Sequence, residues 1–82
     1  MGKVAMKIKV FPESIEAFES MKKKVIEKMK PAQSEEVPVA FGLKALRVTL
    51  VMEDKEGSGD KEEEIRKIEG VGEVEVEMVT LL

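Results

Sequence analysis

Any chemistry in this chain falls to carboxylates, lysines, two arginines and a few hydroxyls, because its 82 residues include no Cys and no His. That absence removes thiolate nucleophiles, disulfides, the usual zinc ligands and the side chain that most often serves as a general base near neutral pH. Two clusters remain to be weighed. Glu62-Glu63-Glu64 is a run of carboxylates, but consecutive helix positions splay around the axis and do not converge on one cation. Gly57-Ser58-Gly59 is the one glycine-rich piece, and Glu56 and Asp60 on either side of it repel phosphate, so it reads as a turn. No catalytic residue, metal or cofactor is expected. The chain is expected to act by docking onto another protein.

Charge and length narrow the partner. Fourteen basic against 17 acidic residues leave a net charge of -3, the wrong balance for a nucleic-acid binder, which carries a basic excess on one face. No apolar run is long enough for a signal peptide or a membrane span, and a cytoplasmic protein is expected. At this length there is room for one domain over 1–82 and one core, but not for a large substrate cavity. No small-molecule substrate of its own is expected.

The elements that must position a docking surface are legible from periodicity. Val4, Met6, Ile8 and Val10 alternate with Ala5, Lys7 and Lys9, which predicts a half-buried strand over 3–11. After Pro12, Ser14 is placed to cap a helix over 14–29, with Ile15, Phe18, Met21, Val25, Ile26 and Met29 at helical spacing. Pro31 ends it, and Ala32-Gln33-Ser34 reads as a loop. Val37, Val39 and Phe41 alternate with Pro38 and Ala40 in a second strand, and Pro38 places that strand at a sheet edge because proline cannot donate to a ladder. Gly42 is the turn residue. Leu46, Val48, Leu50 and Met52 then alternate with Ala45, Arg47, Thr49 and Val51 in the longest strand pattern.

Asp60 and Glu63 resemble a capping box for a short helix with Ile65 and Ile68 inward, and Gly70 closes it. Val74, Val76 and Met78 alternate with Glu73, Glu75 and Glu77 in a last strand. Strand, helix, strand, strand, helix, strand is the order of the α+β ferredoxin-like sandwich, which closes into a four-stranded antiparallel sheet of order 4-1-3-2 with both helices on one face. Lys7 and Lys9 would then face Glu73, Glu75 and Glu77 across neighbouring strands.

That fold hosts many activities, so residues must decide among them. The outer faces of the first and third strands read Ala5, Lys7, Lys9, Arg47, Thr49 and Val51, without the aromatics that stack bases in an RNA-recognition module. Phe41 has two readings from spacing alone: core, by its alternation with Val37 and Val39, or an exposed anchor for a partner, by its place beside a hairpin glycine. A domain that binds a small ligand, or associates with itself through its edge strands, is the alternative function.

The stretch Val37-Pro38-Val39-Ala40-Phe41-Gly42-Leu43-Lys44-Ala45-Leu46 resembles the signature of the translation elongation factor 1-beta family, the guanine-nucleotide exchange factors of elongation factor 1-alpha. The acidic pair Glu53-Asp54 at the end of the following strand, the Pro12-Glu13 exit of the first strand and the order of elements extend the likeness over essentially all 82 residues. The short form is similar to the archaeal type. The resemblance implies a protein that makes and breaks no bond: it binds elongation factor 1-alpha in its GDP state, opens the nucleotide pocket and leaves when GTP enters. It further implies that Phe41 contacts the partner's second domain, with Pro38 and Gly42 shaping the hairpin that presents it. Leu81 and Leu82 would form a second contact at the opposite end. In the eukaryotic type a lysine near the C-terminus reaches toward the partner's magnesium. Here Thr80-Leu81-Leu82 stand there, which implies an exchange route through the partner's phosphate loop or switch segments.

Overall fold

Alternation of apolar and polar residues builds the two central strands. The computed structural model describes residues 2–53 and 58–81, and for residues 41 and 58–60 the backbone alone. Strand β1 (Lys3–Pro12) pairs antiparallel with β3 (Lys44–Glu53), with Val4 opposite Met52, Met6 opposite Leu50, Ile8 opposite Val48 and Val10 opposite Leu46. All of these apolar side chains point to one face and are buried there. Strand β2 (Gln33–Pro38) lies outside β3, and β4 (Val71–Leu81) lies outside β1. The order β2-β3-β1-β4 is the expected 4-1-3-2 sheet, with the proline strand at an edge.

Helix α1 runs over Phe18–Met29, four residues shorter at its start than its sequence spacing predicts. Ser14 does act as a cap, but of a turn. Its carbonyl and its hydroxyl oxygen accept the Ala17 amide at 3.1 and 3.2 Å, and the Phe18 amide reaches back to the Ile15 carbonyl at 3.3 Å. The serine side chain thus holds the chain in a tight turn where a helix would otherwise begin. Ile15 is displayed by this turn, 59% exposed, instead of being buried. At the other end Lys30 adopts a left-handed conformation, φ 47°, and donates its amide to the Ile26 carbonyl at 2.9 Å before Pro31 prevents continuation.

Two further boundaries differ from expectation. Strand β2 begins at Gln33 and stops at Pro38, so Val39 and Phe41 are not strand residues. Helix α2 spans Ser58–Arg66, starting two residues before the predicted cap, and the Asp60 carboxyl and residues 54–57 lie outside the described residues. Glu62 and Arg66, one helical turn apart on α2, form an ion pair at 2.5 Å.

Strand β4 carries two irregularities. Register against β1 slips once between Phe11 and Pro12, leaving Gly72 without a partner, and again between Lys7 and Ile8, leaving Glu77 without one. Each is a bulge, an extra residue in one strand of the pair. The first needs glycine: an added Cβ at Gly72 would sit 2.9 Å from the Pro12 carbonyl oxygen and 3.1 Å from the Glu13 Cα. The close approach lets the Glu13 amide donate to the Gly70 carbonyl at 2.8 Å, tying the end of β1 to the start of β4.

The core lies between sheet and helices. Met6, Ile8 and Val10 of β1 and Leu46 and Val48 of β3 meet Met21 and Val25 of α1 and Ile65 of α2, all without solvent exposure. Among the described residues no polar or charged side chain is buried. The interior is held by apolar area alone, each fully buried side chain contributing about 1.5–3 kcal/mol.

Candidate functional site

The contacts that the family resemblance implies lie at both ends of the sheet, and the strand register shows how far apart these are. Pro38 lies opposite Lys44 at one end of β3. Leu81 lies opposite Val4, itself opposite Met52, at the other. With about 3.3 Å per strand residue, the two groups are separated by roughly 25–30 Å along the sheet.

The first end is a hairpin tip shaped by backbone. Strand β2 ends at Pro38, and the Val39 amide donates to the Leu43 carbonyl at 2.7 Å across the loop. Ala40–Gly42 form a single 3-10 turn closed by the Leu43 amide on the Ala40 carbonyl at 3.3 Å. Gly42 has φ +78°, a conformation that side chains with a Cβ adopt only under strain. This glycine therefore allows the chain to reverse directly after residue 41, whose backbone sits at the apex. The Phe41 side chain lies outside the described residues. Pro38 and Gly42 are both exposed.

The second end is built from side chains that the sheet leaves uncovered. Leu81 is 72% exposed, and Leu82 lies outside the described residues. Toward the same end three more large apolar residues are exposed, Met78 at 53%, Val79 at 54% and Val51 at 46%, of which alternation places only Val51 on the outer face. Val51 lies on the open face opposite Ala5, and Val79 lies opposite Met6 on the helix side, where it is left uncovered; for Met78 the bulge at Glu77 is the cause. Val76 pairs with Ile8 on the helix-covered face, but after the extra residue Met78 pairs with Lys7 on the open face, where simple alternation predicts it buried with Val74 and Val76. The signal for this slip was present in the sequence. Met78 and Val79 are adjacent apolar residues and break the period of two that runs up to Glu77.

Between the ends, the open face is a lattice of charge organised by Arg47. Its Nε donates to Glu77 Oε1 at 2.6 Å and its Nη2 to Glu77 Oε2 at 3.4 Å, while Nη1 donates to Glu35 at 2.9 Å. One guanidinium thereby links β2, β3 and β4 across the face of β1. The expected pairing of Lys7 and Lys9 with the β4 glutamates is corrected in part. Lys9 does lie opposite Glu75, but Glu77 is taken by Arg47, whose planar fork holds both carboxylate oxygens as a lysine cannot. The hydrogen bond from Arg47 is the main reason why the Glu77 carboxyl titrates below the usual glutamate range, with Lys9 and Lys7 adding to the effect. The same bond raises Arg47 in turn.

Phe11 also stands on this face, opposite Glu73, an aromatic that the outer-face reading passed over. Its ring is already covered by the Lys9 ammonium, 5.5 Å from the centroid. Ala45 is fully buried on the same face opposite Val37, so a small apolar patch underlies the sheet next to the hairpin tip. A hollow of about 360 Å³ lined by Lys7, Gln33, Ser34, Glu35, Arg47 and Thr49 is the place on this face for a small ligand. Its arginine is engaged by two carboxylates, and its walls offer no apolar floor of the kind that buries a small molecule.

Among the described residues no three carboxylates converge as a metal site would require, and no helix is long and apolar enough to cross a membrane. Among the described residues the arrangement pairs no hydroxyl with a side-chain base. What it offers is two exposed ends at a fixed distance.

Comparison with known proteins gives one family. The family model described as the EF-1 guanine nucleotide exchange domain matches residues 5–82. The chain is 46% identical to elongation factor 1-beta of Archaeoglobus fulgidus, with 100% of both chains covered. It is likewise 46% identical to that of Methanosarcina acetivorans, over 93% of each, and 36% identical to that of Thermoplasma acidophilum, over 100% of each.

Proposed function

Since this chain belongs to the EF-1 guanine nucleotide exchange domain family of translation elongation factors, we propose that it promotes replacement of GDP by GTP on elongation factor 1-alpha. The match over residues 5–82 carries the reading, and the two exposed ends of the sheet support it. In this reading Pro38, Phe41 and Gly42 engage one part of the partner and Leu81 and Leu82 another, with the paired sheet fixing the distance between them. The protein acts in the cytoplasm without covalent chemistry and needs no cofactor of its own.

The mechanism follows from linkage. A factor that binds the nucleotide-free partner more tightly than the GDP-bound partner must weaken GDP by the same ratio. A rigid body that grips two places on its partner can do this, because only one spacing of those places satisfies both contacts. The hairpin tip is preorganised by its own hydrogen bonds, so little ordering cost is charged against binding. At the other end Leu81 brings no charge to the partner's magnesium. Exchange then proceeds by shifting the partner's phosphate loop or switch segments and not by a cation replacing the metal.

The test is release of fluorescent GDP from elongation factor 1-alpha. Micromolar protein is expected to accelerate release, and absence of acceleration overturns the reading. Phe41→Ala is expected to raise the half-saturating concentration about thirtyfold or more, since a central aromatic contact is worth about 2 kcal/mol, with the thermal midpoint nearly unchanged. A variant that melts early and regains full activity on cooling would place Phe41 in the core.

A further inference from the structure

Beside the hairpin tip lies a hollow of about 200 Å³ lined by Ile15, Phe18, Glu19, Gly42 and Lys44. We propose that this hollow is a second docking site, which receives one apolar side chain from the same GTP-binding partner that takes Phe41. The proposal rests on the exchange reading and adds Ile15, Phe18 and Glu19, which lie outside the family signature stretch, to the surface beside Gly42 and Lys44.

Ile15 carries the argument. The other large apolar side chains exposed among the described residues, Val51, Met78, Val79 and Leu81, belong to strands, and Ile15 alone stands on the helix layer. Its exposure is built in. Two hydrogen bonds from Ala17 to Ser14 and one from Phe18 to the Ile15 carbonyl hold it in the turn before α1, so it cannot slip into the core as the first residue of a longer helix. Phe18, nearly buried, forms the inner wall. On the opposite side an added Cβ at Gly42 would meet nothing within 4 Å, so space beside that residue is open.

The shape and charge of the hollow define its occupant. An engineered apolar cavity of about 150 Å³ holds benzene, so this volume accepts one side chain between leucine and phenylalanine in size. Glu19 and Lys44 stand on the rim with opposite charge, and the Lys44 ammonium is 3.6 Å from Glu36. A partner residue of apolar type flanked by one basic and one acidic group fits both, and the charges set orientation more than affinity. Gly42 belongs to the tip and to the hollow alike, which makes the two sites continuous. A single partner surface can therefore cover both, with no second molecule required.

The experiment compares wild type, Ile15→Ser, Glu19→Lys and Phe41→Ala in the full chain, reading GDP release from elongation factor 1-alpha against protein concentration, with thermal midpoints alongside. Ile15→Ser is expected to raise the half-saturating concentration about tenfold and leave the maximal rate unchanged, because a contact distant from the nucleotide binds ground and transition states alike. Its midpoint should not fall. Glu19→Lys should raise the half-saturating concentration severalfold without touching the apolar wall. An unaltered curve for both, with Phe41→Ala impaired, overturns the hollow and leaves the exchange reading standing. A fall in midpoint that accounts for the whole loss in Ile15→Ser, with Glu19→Lys unaltered, overturns it as well. Failure of wild type to release GDP removes both readings together.

Discussion

The two faces of the sheet share the same strands and solve opposite problems. Toward the helices, β1 and β3 present Met6, Ile8, Val10, Leu46 and Val48, all fully buried, and no buried polar group needs a partner there. Toward solvent the same strands present Lys7, Lys9, Arg47 and Thr49, and order comes from an arginine bonded to two carboxylates. The inner face gains stability in proportion to area and is sensitive to the loss of a few methyl groups. The outer face gains little from any one pair, since partly exposed ion pairs contribute about 0–1 kcal/mol, and it tolerates change. A protein that must bind others can thus vary its outer face while its inner face keeps the ends in place.

The largest effect that would break this contrast is expected inside. Leu46→Ala should lower stability by about 2–5 kcal/mol in urea unfolding, a large share of what a domain of this size possesses. A neutral result would mean that the strand faces are reversed. The next effect lies at the seam where β1 leaves the sheet and β4 enters it. Gly72→Ala sets a Cβ against the backbone of Pro12 and Glu13, which cannot move as a side-chain end can, and should cost about 1–3 kcal/mol by the same measurement. An unchanged midpoint would show that the bulge can relax.

The smallest effect belongs to the outer face and is best seen through pH. Glu77 is held below the ordinary glutamate pKa by the Arg47 hydrogen bond. A depressed carboxylate stabilises fully above its unfolded pKa, about 4.3, and that stabilisation is lost as pH falls through the lower folded value. Arg47→Met should therefore lower the thermal midpoint slightly at pH 7, and the difference from wild type should close in acid. A difference that persists at low pH would assign the role of Arg47 to packing of its alkyl stem.

Much of this fold is legible in the sequence, and the misreadings have physical causes. Period-two alternation identifies β1 and β3, and Pro38 places β2 at an edge because a missing amide hydrogen is tolerated there. Ile15 is misread because its spacing suits a helix, while a hydroxyl three residues before Ala17 captures the amide that would begin one. Val39 is misread because it matches the β2 alternation, whereas its amide is claimed across the loop by Leu43. Of the candidate site, the tip at Pro38 and Gly42 and the end at Leu81 are legible as positions. Val51 is legible as an outer-face residue of β3, whereas Met78 and Val79 are harder to read, since their exposure depends on how far the helices cover the sheet and on a slip in register marked only by two adjacent apolar residues.

The bulge at Glu77 has a bearing on how this strand can be exchanged or redesigned. The strand consists of two phases of one alternation, offset by a single residue, and which residues face in is decided by parity counted from Glu77. A chimera that replaced Met78 to Leu81 with the end of a regular strand, matched position for position and keeping Glu77, would retain the offset and display its new side chains as these are displayed. One that replaced Glu77 as well, and ran as a regular strand without the bulge, would set residue 77 opposite Lys7 and residue 78 opposite Met6, exchanging inside for outside along this whole end. The odd residue works as a frame marker, and any graft onto this end must be cut on its far side.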